Sequence, residues 1–459
     1  MNSHPLNQSK RVLERAAQFS SNYFDYISER HVQANDAAKR NLELLSIAMP
    51  EVGCDPLETL QLLHDIGSQA TAATASGRFH GLVVGGSLPA TVGSRVLNAA
   101  WDQMATNSDT SPIAIHLEQV TSEWLKEIFE MPATSSVGFV TGTTMGNFIC
   151  LAAARHRILS KHGWNAEQQG LNGSPAIRIV ASAEIHVTVK KVIAMLGLGI
   201  QNMELVPCDK NGAMIVEEMP PLDQNTIVLA QAGNVNSGAI DPIEDIAKRS
   251  KAAGAWFHLD GAFGLWAAAS KSKQHLIKGL SEVDSCVTDG HKWLNTPYDC
   301  GIAMCVDAQA MHNAMSTVAP YFSTNSEIPP KDMVPELSRS ARVLDVWAAL
   351  HSLGKDGVES LIDRCCKHAT MASKMLQQYG FEVLNEVSLN QVVISHPTQE
   401  HRLKELTQRV CESGETWFGI THWQSRDAFR MSFSSWVTRD SDVERSVNSI
   451  IDEAKKMGL

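Results

Sequence analysis

Hydrophobic positions along the chain change period twice. Up to about residue 70 they recur at helical spacing, Val12, Ala16 and Phe19 and then Leu42, Leu44, Leu45 and Ile47, without strand-like alternation. This pattern predicts an N-terminal helical arm over 1–70. From about residue 135 short apolar or β-branched runs (SVGFV, AIRIVA, TIVLAQA, AWFHLD, CGIAMCV) are separated by helical segments such as PIEDIAKRSKAAG. Strands alternating with helices predict an α/β architecture, a mostly parallel sheet whose ligands sit at the carboxyl ends of its strands. This large domain is assigned to 71–354. Beyond it come a helix, an alternating strand pair (FEVLNEV, NQVVISH), a strand in AFRMSFSSWV and a terminal helix with Val443, Val447, Ile450 and Ile451 on one face. They predict a small α+β domain over 355–459. No internal repeat or low-complexity linker interrupts the order.

Composition narrows the partners. The 459 residues are 44% hydrophobic and 19% charged, an ordinary globular mix, with a formal charge of −11 and no Lys/Arg-rich run. Nucleic acid and anionic membrane need a basic surface, so neither is expected as a partner, and a small molecule is. The first thirty residues lack the apolar core of a signal peptide, and no run of about 18 apolar residues marks a membrane span. A cytoplasmic protein is expected. Nine cysteines, with Cys365 and Cys366 adjacent and no C-x-x-C, argue against a disulfide framework and a zinc knuckle.

Four strand ends carry candidate chemistry. In SSVGFVTGTTMGNFICLAAARHRIL a strand enters a turn at Gly142, Thr143, Thr144 and Gly146 and then a helix; amides and hydroxyls there suit a phosphate, although neither nucleotide fingerprint is present. An ordinary N-capped turn explains this stretch equally well. In RIVASAEIHVTVKKV, His186 follows a strand and opens a helix, placed to stack on a flat cofactor or to play no part. In AGAWFHLDGAFGLW, Asp260 ends a strand and small residues follow, so its carboxylate can reach a ring nitrogen. His258 lies on the same strand face as Asp260, which keeps a metal site open as a rival. In TDGHKWLNTPYDCG, Lys292 follows Asp260 by about thirty residues, one further βα unit. Phosphate cup, stacking imidazole, ring-nitrogen carboxylate and strand-end lysine together are the fixtures that pyridoxal 5'-phosphate requires.

SAEIHVTVKKV, HLDGAFG and TDGHKWLNTPYDCG, in this order and at these intervals, resemble the group II pyridoxal-phosphate-dependent decarboxylases, relatives of aromatic-amino-acid, glutamate and diaminobutyrate decarboxylases. The resemblance runs from about residue 75 to the C-terminus. It implies the PLP-dependent transferase fold type I, pyridoxal 5'-phosphate as cofactor, an amino acid substrate and a homodimer with active sites near the subunit interface. By the same resemblance Lys292 is the Schiff-base lysine, Asp260 the pyridinium partner and His186 the stacking and catalytic histidine. Ala262 would pack under the ring, and Thr143, Thr144 and His291 would reach the phosphate. Arg430, in FRMSFSSW, falls on a family arginine, for which a structural salt bridge is expected ahead of substrate contact.

Departures from the family pattern widen the functional choice. The segment of residues 320–342, which in several relatives is a mobile loop with a proton-donating tyrosine, has Tyr321 as its only phenol; the donor is then Tyr321, His186 or absent. Val235 replaces a family threonine and leaves Asn234 and Asn236 as candidates for polar contacts to the cofactor. In GRFHGLVVGGSLPATVG, matching the family's pocket-lining segment, Phe79, His80 and Pro89 are substrate-contact candidates, against the simpler reading of a glycine loop serving backbone turns. The leading expectation is decarboxylation of an L-amino acid to its amine and carbon dioxide. Another lyase reaction or decarboxylation-coupled oxidative deamination on the same cofactor stands second. A metal-dependent hydrolase built on His258, Asp260, Asp289 and His291, and a non-catalytic paralogue, are more remote.

Overall fold

A computed structural model describes residues 5–316 and 330–459. Seven strands form the larger sheet: β1 (Ser136–Val140), β2 (Arg178–Ser182), β3 (Met203–Val206), β4 (Thr226–Gln231), β5 (Trp256–Asp260), β6 (Ser285–Asp289) and β7 (Gly301–Cys305). Their spatial order is β1-β7-β6-β5-β4-β2-β3. Neighbours from β3 to β6 are parallel, and β7 is antiparallel to both β6 and β1. Every position of β4, β5, β6 and β7 is buried. Helices cover both faces of such a sheet, which is why β4, β5 and β7 read as predominantly apolar runs, while β6 (SCVTD) is buried with polar positions. β3 differs: it is the edge, with Glu204 and Leu205 exposed, and no apolar run announces it.

Register sets the strand ends level. Gln231 pairs with Asp260, Asp260 with Val287, and Gly301 with both Asp289 and Val140. The carboxyl ends of β1, β2, β4, β5 and β6 thus share one edge, and the segments carrying Thr143, His186, Asn234, Asp260 and Lys292 all leave from it.

A second, antiparallel sheet contains β8 (Glu382–Val383), β9 (Gln391–Ser395), β10 (Gly419–Trp423) and β11 (Arg426–Ser432) in the order β10-β11-β9-β8. β10 is an addition to the expected elements; its sequence GITHW is short and mostly half-exposed or exposed. The terminal helix Asp440–Met457 covers this sheet, burying Val443, Val447 and Ile450 against Phe418 and Phe429. The helix Val343–Tyr379 joins the two regions, and at Gly354 (φ 61, ψ −179) its backbone leaves the helical region, a conformation that glycine adopts without a Cβ clash.

Residues around 80, expected inside the large domain, lie by their contacts against the small sheet. The His80 N–H donates to the Trp417 carbonyl, the Ser432 N–H donates to the His80 carbonyl, and Phe79 stacks on Trp417 at 4.8 Å. The N-terminal arm is helical, with Pro5–Tyr26 as its longest element, and leaves Leu13, Phe24, Leu44, Ile47, Met49 and Leu63 exposed. All nine cysteines are free. Among the described residues no helix is long and apolar enough to cross a membrane.

Candidate active site

Asp260 ends β5 and is buried. Its Oδ2 accepts a hydrogen bond from Asn147 Nδ2 (3.1 Å) and its Oδ1 one from the Ala262 N–H (3.2 Å). Asn147 reaches it from the helix Thr143–Ser160, which lies close on the sheet because Gly146 has no side chain; a Cβ there would come within 3.0 Å of Val287 Cγ1. Burial pushes the Asp260 pKa up, opposed by the charges of His186 and Lys292 and by the Asn147 hydrogen bond.

His186 caps the helix Val187–Met195. Its Nδ1 lies 2.7 Å from Thr188 Oγ1 and accepts the Thr188 N–H at 3.4 Å, so the neutral ring carries its proton on Nε2. Burial lowers its pKa, with Asp260 acting in the opposite sense. Both members of this coupled pair are therefore pushed toward their neutral forms by the loss of water.

Lys292 stands three residues beyond β6 with its Nζ 3.0 Å from Asp289 Oδ2. The Asp289 carboxylate also takes the Thr143 N–H on Oδ1 (2.7 Å) and the Thr143 hydroxyl on Oδ2 (3.0 Å). An anion thus already occupies the helix N-terminus where the sequence analysis expected a phosphate to be held. His291 lies beside it, Nε2 3.7 Å from Asp289 Oδ2, while its Nδ1 accepts the Cys300 N–H (3.1 Å). That bond leaves the Nε2 proton facing the carboxylate. Burial lowers the His291 pKa. Thr144, the next residue of the first turn, is half-buried. Tyr298, which the sequence did not single out, stacks on His291 at 4.4 Å and adds a phenol to the lysine turn. Only the tertiary fold reveals that contact.

Among the described residues Arg430 forms no salt bridge of the kind expected. Its guanidinium donates to the Val235 carbonyl (2.5 Å) and to Asn236 Oδ1 (3.4 Å), and burial lowers its pKa. Its charge reaches His186 and lowers that residue's pKa. Val235 and Asn236 therefore serve to place a cation. Asn234 Oδ1 accepts the N–H groups of Asn236 (2.8 Å) and Ser237 (3.2 Å), which makes it a turn residue, and its Nδ2 is buried beside the Gly212 backbone.

Of the substrate-contact candidates, Phe79 and His80 pack against the small sheet, and Pro89 follows Leu88, whose N–H donates to the Asn295 carbonyl in the lysine turn. His80 Nε2 pairs with Ser446 Oγ at 2.9 Å and its ring packs on Phe433 at 4.6 Å, Phe79 is stacked on Trp417, and Pro89 is exposed at the start of the helix Pro89–Trp101. In that segment it is Gly85 that approaches the lysine, since a Cβ would lie 1.9 Å from the Lys292 carbonyl oxygen. His258, part of the metal rival, hydrogen-bonds Asn147 and Ser285, and no group of three or more potential ligands gathers among the described residues. Tyr321 lies outside the described residues.

A lysine amine, a buried carboxylate, an imidazole and a helix N-terminus on one sheet edge are a donor set that fits pyridoxal 5'-phosphate. Residues 45–396 match the pyridoxal-dependent decarboxylase conserved domain, and the chain belongs to that family. It is an enzyme that uses pyridoxal 5'-phosphate to decarboxylate an amino acid. Tryptophan decarboxylase 2 of Oryza sativa subsp. japonica is 26% identical over 394 residues, 79% of this chain and 77% of that protein. L-2,4-diaminobutyrate decarboxylase of Acinetobacter baumannii is 24% identical over 400 residues, 79% and 77% of the two chains. The crystal structure of Oryza sativa TDC with PLP and tryptamine superposes with a TM-score of 0.91 at 20% identity, covering 99% of this chain and 100% of that one.

Proposed function

We propose that this chain decarboxylates an L-amino acid with Lys292 as the lysine that binds the cofactor and Asp260 as the partner of its ring nitrogen. The observation carrying this reading is the level register of β5 and β6, which sets a buried carboxylate and a lysine-bearing turn on one edge of the sheet. Pyridoxal 5'-phosphate supplies a ring that accepts the electron pair released when a bond at the substrate's α carbon breaks.

The protein's part is to bind, orient and move protons. Asp260, with its two hydrogen bonds from Asn147 and Ala262, presents a carboxylate that favours a proton on the ring nitrogen. Ala262 would pack under the ring, and Thr143, Thr144 and His291 would hold the phosphate. His186 covers the ring and, with Nδ1 engaged by Thr188, holds a proton at Nε2 for return to the α carbon. Tyr321 is the other candidate for that proton. Arg430, a half-buried cation bonded to a carbonyl and an amide oxygen, is suited to a carboxylate of the substrate.

The exposed apolar side chains of the arm, Ile47 and Met49 among them, support a homodimer in which a second copy covers them. Incubation of the loaded protein with a panel of L-amino acids, with carbon dioxide, amine and ammonia measured together, tests the chemistry. One amine per carbon dioxide without ammonia is expected. Ammonia with a carbonyl product would establish oxidative deamination instead.

A further inference from the structure

Behind Asp260 a chain of hydrogen bonds runs through the buried sheet. Trp256 Nε1 lies 2.9 Å from Ser285 Oγ, Ser285 Oγ 2.8 Å from His258 Nδ1, His258 Nε2 2.7 Å from Asn147 Oδ1, and Asn147 Nδ2 3.1 Å from Asp260 Oδ2. All five residues are buried.

The groups at its two ends give this chain a direction. An indole N–H can only donate, so Ser285 Oγ accepts from Trp256; an ionised Asp260 can only accept, so Asn147 turns its NH2 to the carboxylate and its Oδ1 to His258 Nε2–H, and Ser285 gives its hydrogen to His258 Nδ1. Nδ1 must then be unprotonated, which places the hydrogen of the neutral ring on Nε2. That hydrogen donates to Asn147 Oδ1. The amide has no freedom to flip, and its NH2 group faces Asp260. Burial holds the His258 pKa down at about 3, so the ring remains the neutral, singly protonated form through the physiological range.

We propose that Trp256, Ser285, His258 and Asn147 form a one-way donor relay that orients Asp260 and keeps it a carboxylate toward the cofactor's ring nitrogen. They are positioning residues for decarboxylation, and the inference rests on the assignment of Asp260 as the ring partner. The relay acts by polarisation: each bond strengthens the next, and the last donor favours the charged form of an acid that burial alone would neutralise. Asn147 and Ala262 bind Asp260 from the protein side and leave the remaining lone pairs of the carboxylate for the ring N–H.

The test is the 15N NMR shift of the ring nitrogen in protein loaded with 15N-labelled pyridoxal phosphate, read beside turnover. Wild type is expected to show a protonated ring nitrogen. Ser285→Ala removes the atom that fixes the tautomer, so the signal should move toward the unprotonated position and turnover fall by about tenfold, at the low end of what losing an outer partner costs in metal sites. The cofactor should stay bound. Ser285→Thr retains the hydroxyl and should restore both readings. His258→Phe, which keeps a ring and removes both nitrogens, should reproduce the Ser285→Ala displacement. Wild-type shift and turnover in Ser285→Ala and His258→Phe, with Asp260→Asn displaced, would overturn the relay and leave Asp260 in place. An unchanged shift in Asp260→Asn would remove the ring-partner assignment itself and the relay with it.

Discussion

If the helix N-terminus at Thr143 holds the cofactor's phosphate as proposed, two anions compete there for one set of donors. Asp289 already takes the amide and hydroxyl of Thr143 and pairs with Lys292. A bound phosphate shares those donors with a buried carboxylate, and like charges at such separation oppose one another. Asp289→Asn should therefore bind pyridoxal phosphate more tightly, by about tenfold, while pyridoxal without its phosphate gains less. Equilibrium dialysis with both ligands measures this, and weaker binding of the phosphate form would show that Asp289 assists the phosphate. Asp260→Asn should retain the cofactor and lose about a hundredfold in turnover, the scale on which preorganised charge acts. At this scale the sequence was readable for position at the strand ends: Asp260 ends a strand, His186 and Lys292 each follow one, and all three stand on one edge. It was not readable where a role depends on a partner distant in the chain. Asp289 lies 146 residues from Thr143, and Arg430 lies 195 from the carbonyl it binds. Phe79 and His80 were placed by local resemblance, and their partners, Trp417 and Ser446, lie in the other half of the chain.

The elements converge on the site through close backbone approach. A Cβ on Gly301, at the start of β7, would lie 2.5 Å from Gly142 Cα, in the turn that leads into the helix Thr143–Ser160. Gly301→Ala should displace that turn, and cofactor retention should fall by about tenfold or more with the sheet otherwise folded; gel filtration followed by cofactor assay reads it. Undiminished retention would mean that the turn does not position the phosphate. Strands β4, β5 and β7 were legible because a sheet covered on both faces favours predominantly apolar runs. β3 and β10 escaped for the converse reason: both are short edge strands with exposed positions. Gly354 marks where the backbone of one long helix leaves the helical region.

For the whole molecule, buried neutral histidines set the response to acid. Burial lowers the pKa of both His80 and His258 from 6.5 to about 3. Between those values the unfolded chain binds a proton at each site that the folded chain does not, so stability falls as pH falls below about 6.5 and the loss is complete near pH 3. Two such groups contribute a slope of up to about 2.7 kcal/mol per pH unit. Urea unfolding at a series of pH values should show it, and His80→Asn should remove about half; an unchanged slope in that variant would place the acid sensitivity elsewhere. If the proposed homodimer forms through the arm, wild type should sediment as a dimer and Ile47→Asp combined with Met49→Asp as a monomer, and a variant that still dimerises would place the contact elsewhere. The central claim concerns one amine. Borohydride reduction of the loaded protein, followed by mass spectrometry of its proteolytic peptides, should find the cofactor's mass on Lys292, and cofactor fixed to another lysine or to none would contradict the account.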